Sequence, residues 1–414
     1  MKRYKLFLML LLTLMASGLA QGQAVEQAKP AEVDQSQLDS LRTEGSAALF
    51  SLDYEGARQK FLEIRRLFPS HPAGPLLLAS SMWLQKLNES RRLQAALYNS
   101  KTFYAKTEDK IDLRAFEPFK ELVRQAIALS KARLKTTPRD TEALYYLGAA
   151  EGLKAAFEGT VERSFMSALR DGSSSVEHHR QVLKLDPAFR DAELTIGLYD
   201  YVVGSLPLPV KLLASVAGVR GSKKRGLATL ERVAKEGRWS KENAKIILIA
   251  LYKREKRFAD ALALVRDLSA QYPRNYLLKL ETADALISQA AVERQAHNSS
   301  EPNVSEREAL SLFESLLRDR DNARSHDLIR FRYAEALLLV GQPETAAREF
   351  LSAAAAPGAE ASLATMAHLR AAQSLDLSGK RKEAVTEYQA VLNRPNVYDM
   401  HEEARRGLRE PYKQ

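Results

Sequence analysis

The sequence contains no cysteine. Disulfides, thiolate catalysis and cysteine-ligated zinc or iron–sulfur sites are therefore excluded, and folding must rest on packing alone. Aromatic residues are sparse at 7%, and only 2 are tryptophan. No apolar run reaches the length of about 20 residues that a membrane-spanning helix needs. Catalytic signatures are missing as well. There is no HExxH pair, no Gly-x-Ser-x-Gly elbow, no Gly-x-Gly-x-x-Gly fingerprint and no Walker-type loop. GVRGSKKRG lacks the Gly-x4-Gly-Lys-Ser/Thr spacing of a phosphate loop. The 7 histidines read as polar surface residues. His178 and His179 are adjacent, so on a helix they point about 100° apart and cannot share one metal from one face. His71, His297, His326, His368 and His401 are isolated. Acidic residues lie three or four positions from Lys and Arg, as on solvated helix faces. On these absences the expectation is a protein that is not an enzyme and holds no cofactor or metal.

What is present starts with a charged, apolar, small-residue order at the N-terminus. MKRYK is followed by the uncharged run Leu6–Met15, then ASGLA at 16–20. This is the order of a secretory signal, with cleavage expected after Ala20 and a second choice after Ala24. An uncleaved anchor is the alternative, but the run is about half the spanning length. Residues 21–36 read as a flexible leader. The expected destination is the periplasm or exterior of a Gram-negative-like bacterium, and with no cysteine to acylate the chain is not a lipoprotein. The formal net charge is +10. Removing Lys2, Arg3 and Lys5 would leave about +7, a mild excess without the aromatic interleaving of a nucleic-acid face, so no nucleic-acid partner is expected. The Asn-x-Ser triplets at Asn88, Asn298 and Asn303 matter only in a eukaryotic secretory pathway.

The mature part repeats one phrase. In residues 38–72 a first helix carries the small residues Gly45 and Ala48. A turn follows at 52–55, and a second helix places Ala57, Phe61 and Ile64 on one face before Pro69. The same order returns as Ala261, Val265, Leu268 and Pro273; as Ala346, Phe350, Ala353 and Pro357; and as Ala384, Tyr388, Val391 and Pro395. Each time the apolar residues follow the alanine by four and seven positions, one helix face, and proline stops the helix. Weaker copies end at Pro138 and at Pro187, the latter with Gly148 in its first helix and an apparent insertion over 160–174. Nothing shows the period-two alternation of strands.

This order resembles the tetratricopeptide repeat, over roughly residues 38–408. The resemblance implies an all-α solenoid of helical hairpins, a right-handed superhelix, in which stacked hairpins bury stripes that none could bury alone. About six units are recognisable. The expected organisation is a signal over 1–20, a leader over 21–36, helices with insertions over 37–193, a hydrophobic hairpin with a basic turn over 194–235, and further repeats over 236–410.

The irregular middle, residues 194–226, holds only Asp200 and Lys211 as charges between 195 and 219, is divided by Pro207 and Pro209, and ends in Arg220, Lys223, Lys224 and Arg225. Its readings are a buried hairpin, a membrane-surface contact through the basic cluster, or an apolar ligand pocket. Its order, GLYDY, then SLP, a leucine-rich stretch and GxxGSKKxGL, is similar to the tetratricopeptide-repeat 39 and inclusion-body clearance group, which implies an adaptor without catalytic activity. Here Ser222, Lys223 and Lys224 replace that group's Gly-Asp-Arg-like step. Tetratricopeptide clamps hold a peptide carboxylate with Lys, Asn and Arg of inner helices. Arg42 lies near such a place, but Ser46 stands one turn on where asparagine is expected, so no clamp is assigned. The expectation is an exported, non-enzymatic scaffold for a protein or peptide partner on the concave surface, or else a peripheral membrane factor of envelope biogenesis.

Overall fold

The computed structural model describes residues 34–91, 113–162, 164–206, 208, 211, 220–297 and 302–413. The expected signal, its cleavage point at Ala20, most of the leader and most of 207–219 lie outside these residues. Among the described residues there are seventeen α-helices and no strand. They are α1 (Gln35–Phe50), α2 (Tyr54–Leu67), α3 (Ala73–Glu89), α4 (Glu117–Thr136), α5 (Thr141–Thr160), α6 (Phe165–Leu185), α7 (Glu193–Gly204), α8 (Lys223–Glu236), α9 (Lys241–Arg254), α10 (Phe258–Gln271), α11 (Tyr276–His297), α12 (Val304–Arg318), α13 (His326–Leu339), α14 (Pro343–Ala354), α15 (Ala361–Leu377), α16 (Arg381–Leu392) and α17 (Met400–Arg409). The first sixteen form eight successive hairpins, and α17 closes the series. Two compact units divide the chain, Met1–Leu87 with Ile111–Leu248 (unit 1), and Asn88–Lys110 with Ile249–Gln414 (unit 2).

Each hairpin follows from local chemistry. In the first, the Asp53 side chain accepts the Gly56 N–H at 2.9 Å and caps α2. Phe68 then leaves the helical region, and Pro69 follows it. Ala57, Phe61 and Ile64 are fully buried. Gly45 on α1 is what admits Phe61, because a Cβ there would sit 2.8 Å from the ring Cδ1. The positions spaced zero, four and seven recur on the second helix of six more hairpins. They are Ser175, His179 and Val182 on α6; Gly226, Leu230 and Val233 on α8; Ala261, Val265 and Leu268 on α10; Ala309, Phe313 and Leu316 on α12; Ala346, Phe350 and Ala353 on α14; and Ala384, Tyr388 and Val391 on α16, all buried. Each such set, with about 3.6 residues per turn, is one stripe. The second hairpin departs from this. Ser130 holds the large position, and the bulk comes from Trp83 stacked 5.4 Å from Phe119, itself 4.9 Å from Phe157.

The apparent insertion over 160–174 is not a separate element. Gly148 and His179 pair across the third hairpin as Gly45 and Phe61 do across the first. The extra residues lengthen the ends of α5 and α6 by about two turns each. Met166 and Leu169, on that extension, are 78% and 50% exposed.

The fourth hairpin accounts for the glycines of the irregular middle. A Cβ on Gly226 would lie 2.6 Å from the Gly197 carbonyl oxygen and 2.8 Å from Tyr201 Cα. Both obstacles are backbone of α7 and cannot swing aside. Gly226→Ala is therefore expected to cost about 1–3 kcal/mol, read as a lowered midpoint in thermal unfolding. Gly172→Ala on α6 serves as control. Its Cβ would meet Ala155 at an ordinary 3.8 Å, and the helix gains up to about 1 kcal/mol in propensity. Equal losses at both glycines would refute the close-crossing account.

The last described helix is amphipathic. Met400, Ala404 and Gly407 are buried, while Glu402, Arg405, Arg406 and Arg409 are not. Gly407 meets the Tyr388 ring. The Tyr388 hydroxyl donates to Asp376 at 2.9 Å, as does the Tyr412 N–H at 2.8 Å.

Candidate functional site

In unit 1, charge and aromatic rings concentrate where α1, α5 and the turn before α9 meet. Helix α5 has buried residues around nearly its whole circumference, from Ala143 to Gly159. The reason is visible in α1. Arg42, on the first hairpin, is 0% exposed. Its Nη2 donates to the Tyr146 hydroxyl on α5 at 2.8 Å, and its Nη1 to Asp39 at 3.1 Å. The guanidinium lies 4.7 Å from the centre of the Trp239 ring. Arg238 lies 4.5 Å from the same ring and reaches Asp39 at 2.9 Å. One carboxylate thus serves two guanidinium groups that share one indole. Burial pushes the Asp39 carboxyl upward, with Glu142 adding to this, although Arg42 and Arg238 oppose it.

Trp239 is itself fixed from behind. The Asp191 carboxylate accepts the N–H groups of Trp239 and Ser240 at 2.9 and 2.7 Å. These are among the donors left open at the start of α9. The rings continue inward from Trp239 to Phe189 (6.1 Å), Tyr145 (5.0 Å) and His179 (5.2 Å).

Two histidines expected at the surface are buried, and this corrects the sequence reading. His71 is 4% and His179 1% exposed. His71 Nδ1 accepts the Ala73 N–H at 3.1 Å, and Nε2 faces Glu142 at 3.2 Å. Both ring nitrogens thus face groups of unit 1 rather than solvent. His179 fills the large position of its stripe and donates through Nε2 to the Tyr145 carbonyl at 3.1 Å. Burial lowers its pKa to about 4. His178 and Ser174 both bind the same oxygen of Glu151, at 2.9 and 2.7 Å. With the carboxylate between them, serine and histidine do not form a nucleophile–base relay. No group of three metal-ligating side chains occurs among the described residues.

The basic residues singled out in the sequence sit at the start of α8. Ser222 caps the helix by accepting the Arg225 N–H at 3.3 Å. Arg225 makes a two-pronged pair with the buried Asp200, its Nη2 at 2.7 Å. Lys223 Nζ lies 5.7 Å from the Tyr201 ring centre. Arg220 and Lys224 are exposed. Arg225 therefore has a structural role in crossing α7 with α8, and the four do not act as one free cluster.

Unit 2 carries a different arrangement, which no sequence motif announced. Asp284 on α11 pairs with Lys253 and with Arg332 on α13. Lys253 also binds Glu281, and Arg332 binds Glu335, each at 2.5 Å. Burial disfavours the charged form of Asp284, yet the two cations outweigh it and hold its carboxyl below the usual range.

No protein-family model matches the chain, and no curated protein matches it. Among solved structures it is similar to the human IFIT1 dimer with m7Gppp-AAAA, at 13% identity over 91% of this chain and 86% of that one, with a TM-score of 0.46. A thermophilic tetratricopeptide protein of Thermus thermophilus is 17% identical over 60% of this chain and 99% of its own, with a TM-score of 0.34. A tetratricopeptide repeat protein of Parabacteroides merdae is 12% identical over 80% and 99%, with a TM-score of 0.32. The chain is an all-α helical solenoid of the tetratricopeptide type, by its successive hairpins and the small-then-large stripe on their second helices.

Proposed function

We propose that the protein is an exported, non-enzymatic scaffold that binds a protein or peptide partner on the inner surface of its helical hairpins. The observation that carries this reading is how the chemistry-bearing side chains are used. Arg42, His71, Glu142, Glu151, His178, His179 and Asp284 all hold helices to one another. An array of hairpins offers an extended surface to a partner, and fold by itself names no ligand. Export is supported by the order of residues 1–20. In the host, crosslinking of the tagged full-length chain should recover one dominant protein from the cell envelope, with crosslinked peptides in α1, α3 or α5. Recovery of the chain in the cytoplasmic fraction would overturn export, and crosslinks confined to other helices would overturn the inner surface.

A second reading places the protein at a membrane surface through residues 194–225. Leu208 is 75% exposed, and Arg220 and Lys224 beside α8 are exposed. Among the described residues no helix is long and apolar enough to cross a membrane. Surface attachment should appear as flotation with anionic liposomes, reduced by Lys223→Glu with Lys224→Glu. Equal flotation with neutral liposomes would sink the electrostatic form of this reading.

A further inference from the structure

The first hairpin is bound to unit 1 in two different ways. Next to it in sequence it packs as any repeat does, with Leu38, Phe61 and Ile64 buried and Arg65 donating to Gln125 on α4 at 3.1 Å. Its second attachment skips ahead in the chain. Asp39 and Arg42 on α1 reach Tyr146 of the third hairpin, and Trp239 and Arg238 between α8 and α9. A hairpin of a stacked array ordinarily contacts only its neighbours. Here the first described hairpin also grips a distant turn. That grip is made of charge and π faces, whereas the neighbouring contact is made of aliphatic and aromatic packing. The turn that follows both attachments in the chain, Pro69–Ser70, is exposed and is where the hairpin joins α3.

We propose that α1 with α2 is a gate on the inner side of unit 1, latched by Asp39 and Arg42 on Arg238 and Trp239 and opening about the 69–70 turn ahead of global unfolding. Opening uncovers the face that α1 covers, which presents Tyr146, Trp239 and Glu142. The gate supplies access to the surface invoked for partner binding and stands independently of it, because its opening is read without any partner.

Three features fix the latch. The Asp39 carboxylate is shared, so one substitution loosens both arginines at once. The Arg238 side chain is 54% exposed, so that arm can be cut without emptying a core position. Trp239 is held by Asp191 from the opposite side and stays in place when the gate moves.

Hydrogen exchange of the full-length protein, followed by mass spectrometry, tests this. In Arg238→Gln and in Asp39→Asn, peptides within 35–67 are expected to exchange about tenfold faster or more, while peptides within 141–160 keep their rates. Arg238→Gln guards against a folding failure of Asp39→Asn. The unaltered protein at high salt should show the same selectivity to a smaller degree, since the exposed arm is screened and the buried one is not. Unchanged rates in 35–67 for Arg238→Gln, or equal acceleration of 35–67 and 141–160, would overturn the gate. A failed partner search with a selective exchange response would leave the gate standing and remove only the binding reading.

Discussion

Asp284→Ala is expected to destabilise unit 2 by about 3–5 kcal/mol, the usual cost of removing one partner from a buried ion network. The substitution leaves Lys253 and Arg332 facing each other with the carboxylate between them gone. Glu281 and Glu335 each hold one of the two, and neither can bridge both. Arg332 is 4% exposed, so water cannot readily replace the lost partner. Lys253→Met combined with Asp284→Met should recover part of the loss, because a desolvated pair and an apolar pair of similar volume are often nearly equal in stability. The measurement is urea unfolding by far-ultraviolet circular dichroism. Tryptophan emission is the wrong probe, since Trp83 and Trp239 both belong to unit 1. A loss under about 1 kcal/mol, the range of exposed pairs, would mean that the network is solvated.

Unit 1 has its own weakness, towards acid. His179 is held neutral, with a pKa of about 4, against 6.5 ordinarily. Its Nδ1 has no hydrogen-bond partner among the described residues, so a proton there creates an unsolvated charge. The unfolded chain takes up that proton as pH falls below 6.5, while the folded chain resists until about 4. In that window the unfolded state binds more protons, so stability falls as pH falls. The contribution is fully present above 6.5, and about 3 kcal/mol is lost by pH 4. Carboxylates also titrate there, so the informative quantity is the difference between the native chain and His179→Phe. Phenylalanine is what the first hairpin has at the same position, Phe61, and it should flatten the slope between pH 6.5 and 4. Unfolding followed by tryptophan emission reads unit 1 directly. An unchanged slope in His179→Phe would show that this imidazole is not the titrating group.

Much of the fold was legible because hairpin packing is local. Ala57, Phe61 and Pro69 lie within thirteen residues, and the same set recurs at Ala346 and Ala384. The stripes that escaped notice stand on helices without the closing proline. After Ala309, Phe313 and Leu316 the helix ends where Asp319 turns extended, and after Gly226, Leu230 and Val233 it ends at Gly237. Spacing alone, without the stop residue, would have found both. The same spacing placed His179 in the core, a signal masked by its charged-looking neighbour His178. The inner cluster was not legible. Asp39 and Arg238 are 199 positions apart, and nothing local distinguishes a guanidinium bound for an indole from one bound for water. The charges of unit 2 were hidden for the same reason, since Lys253, Asp284 and Arg332 sit on three different helices.

The lengthened third hairpin has a consequence for addressing. In an array of near-identical hairpins, a bound strand displaced by one repeat meets almost the same surroundings, so position along the array is poorly defined. The extension of α5 and α6 runs about seven residues, or about 10 Å, beyond the plan of the first hairpin. It carries Met166 and Leu169 at its end. A ligand that touches it would be set in different surroundings from one displaced by a hairpin.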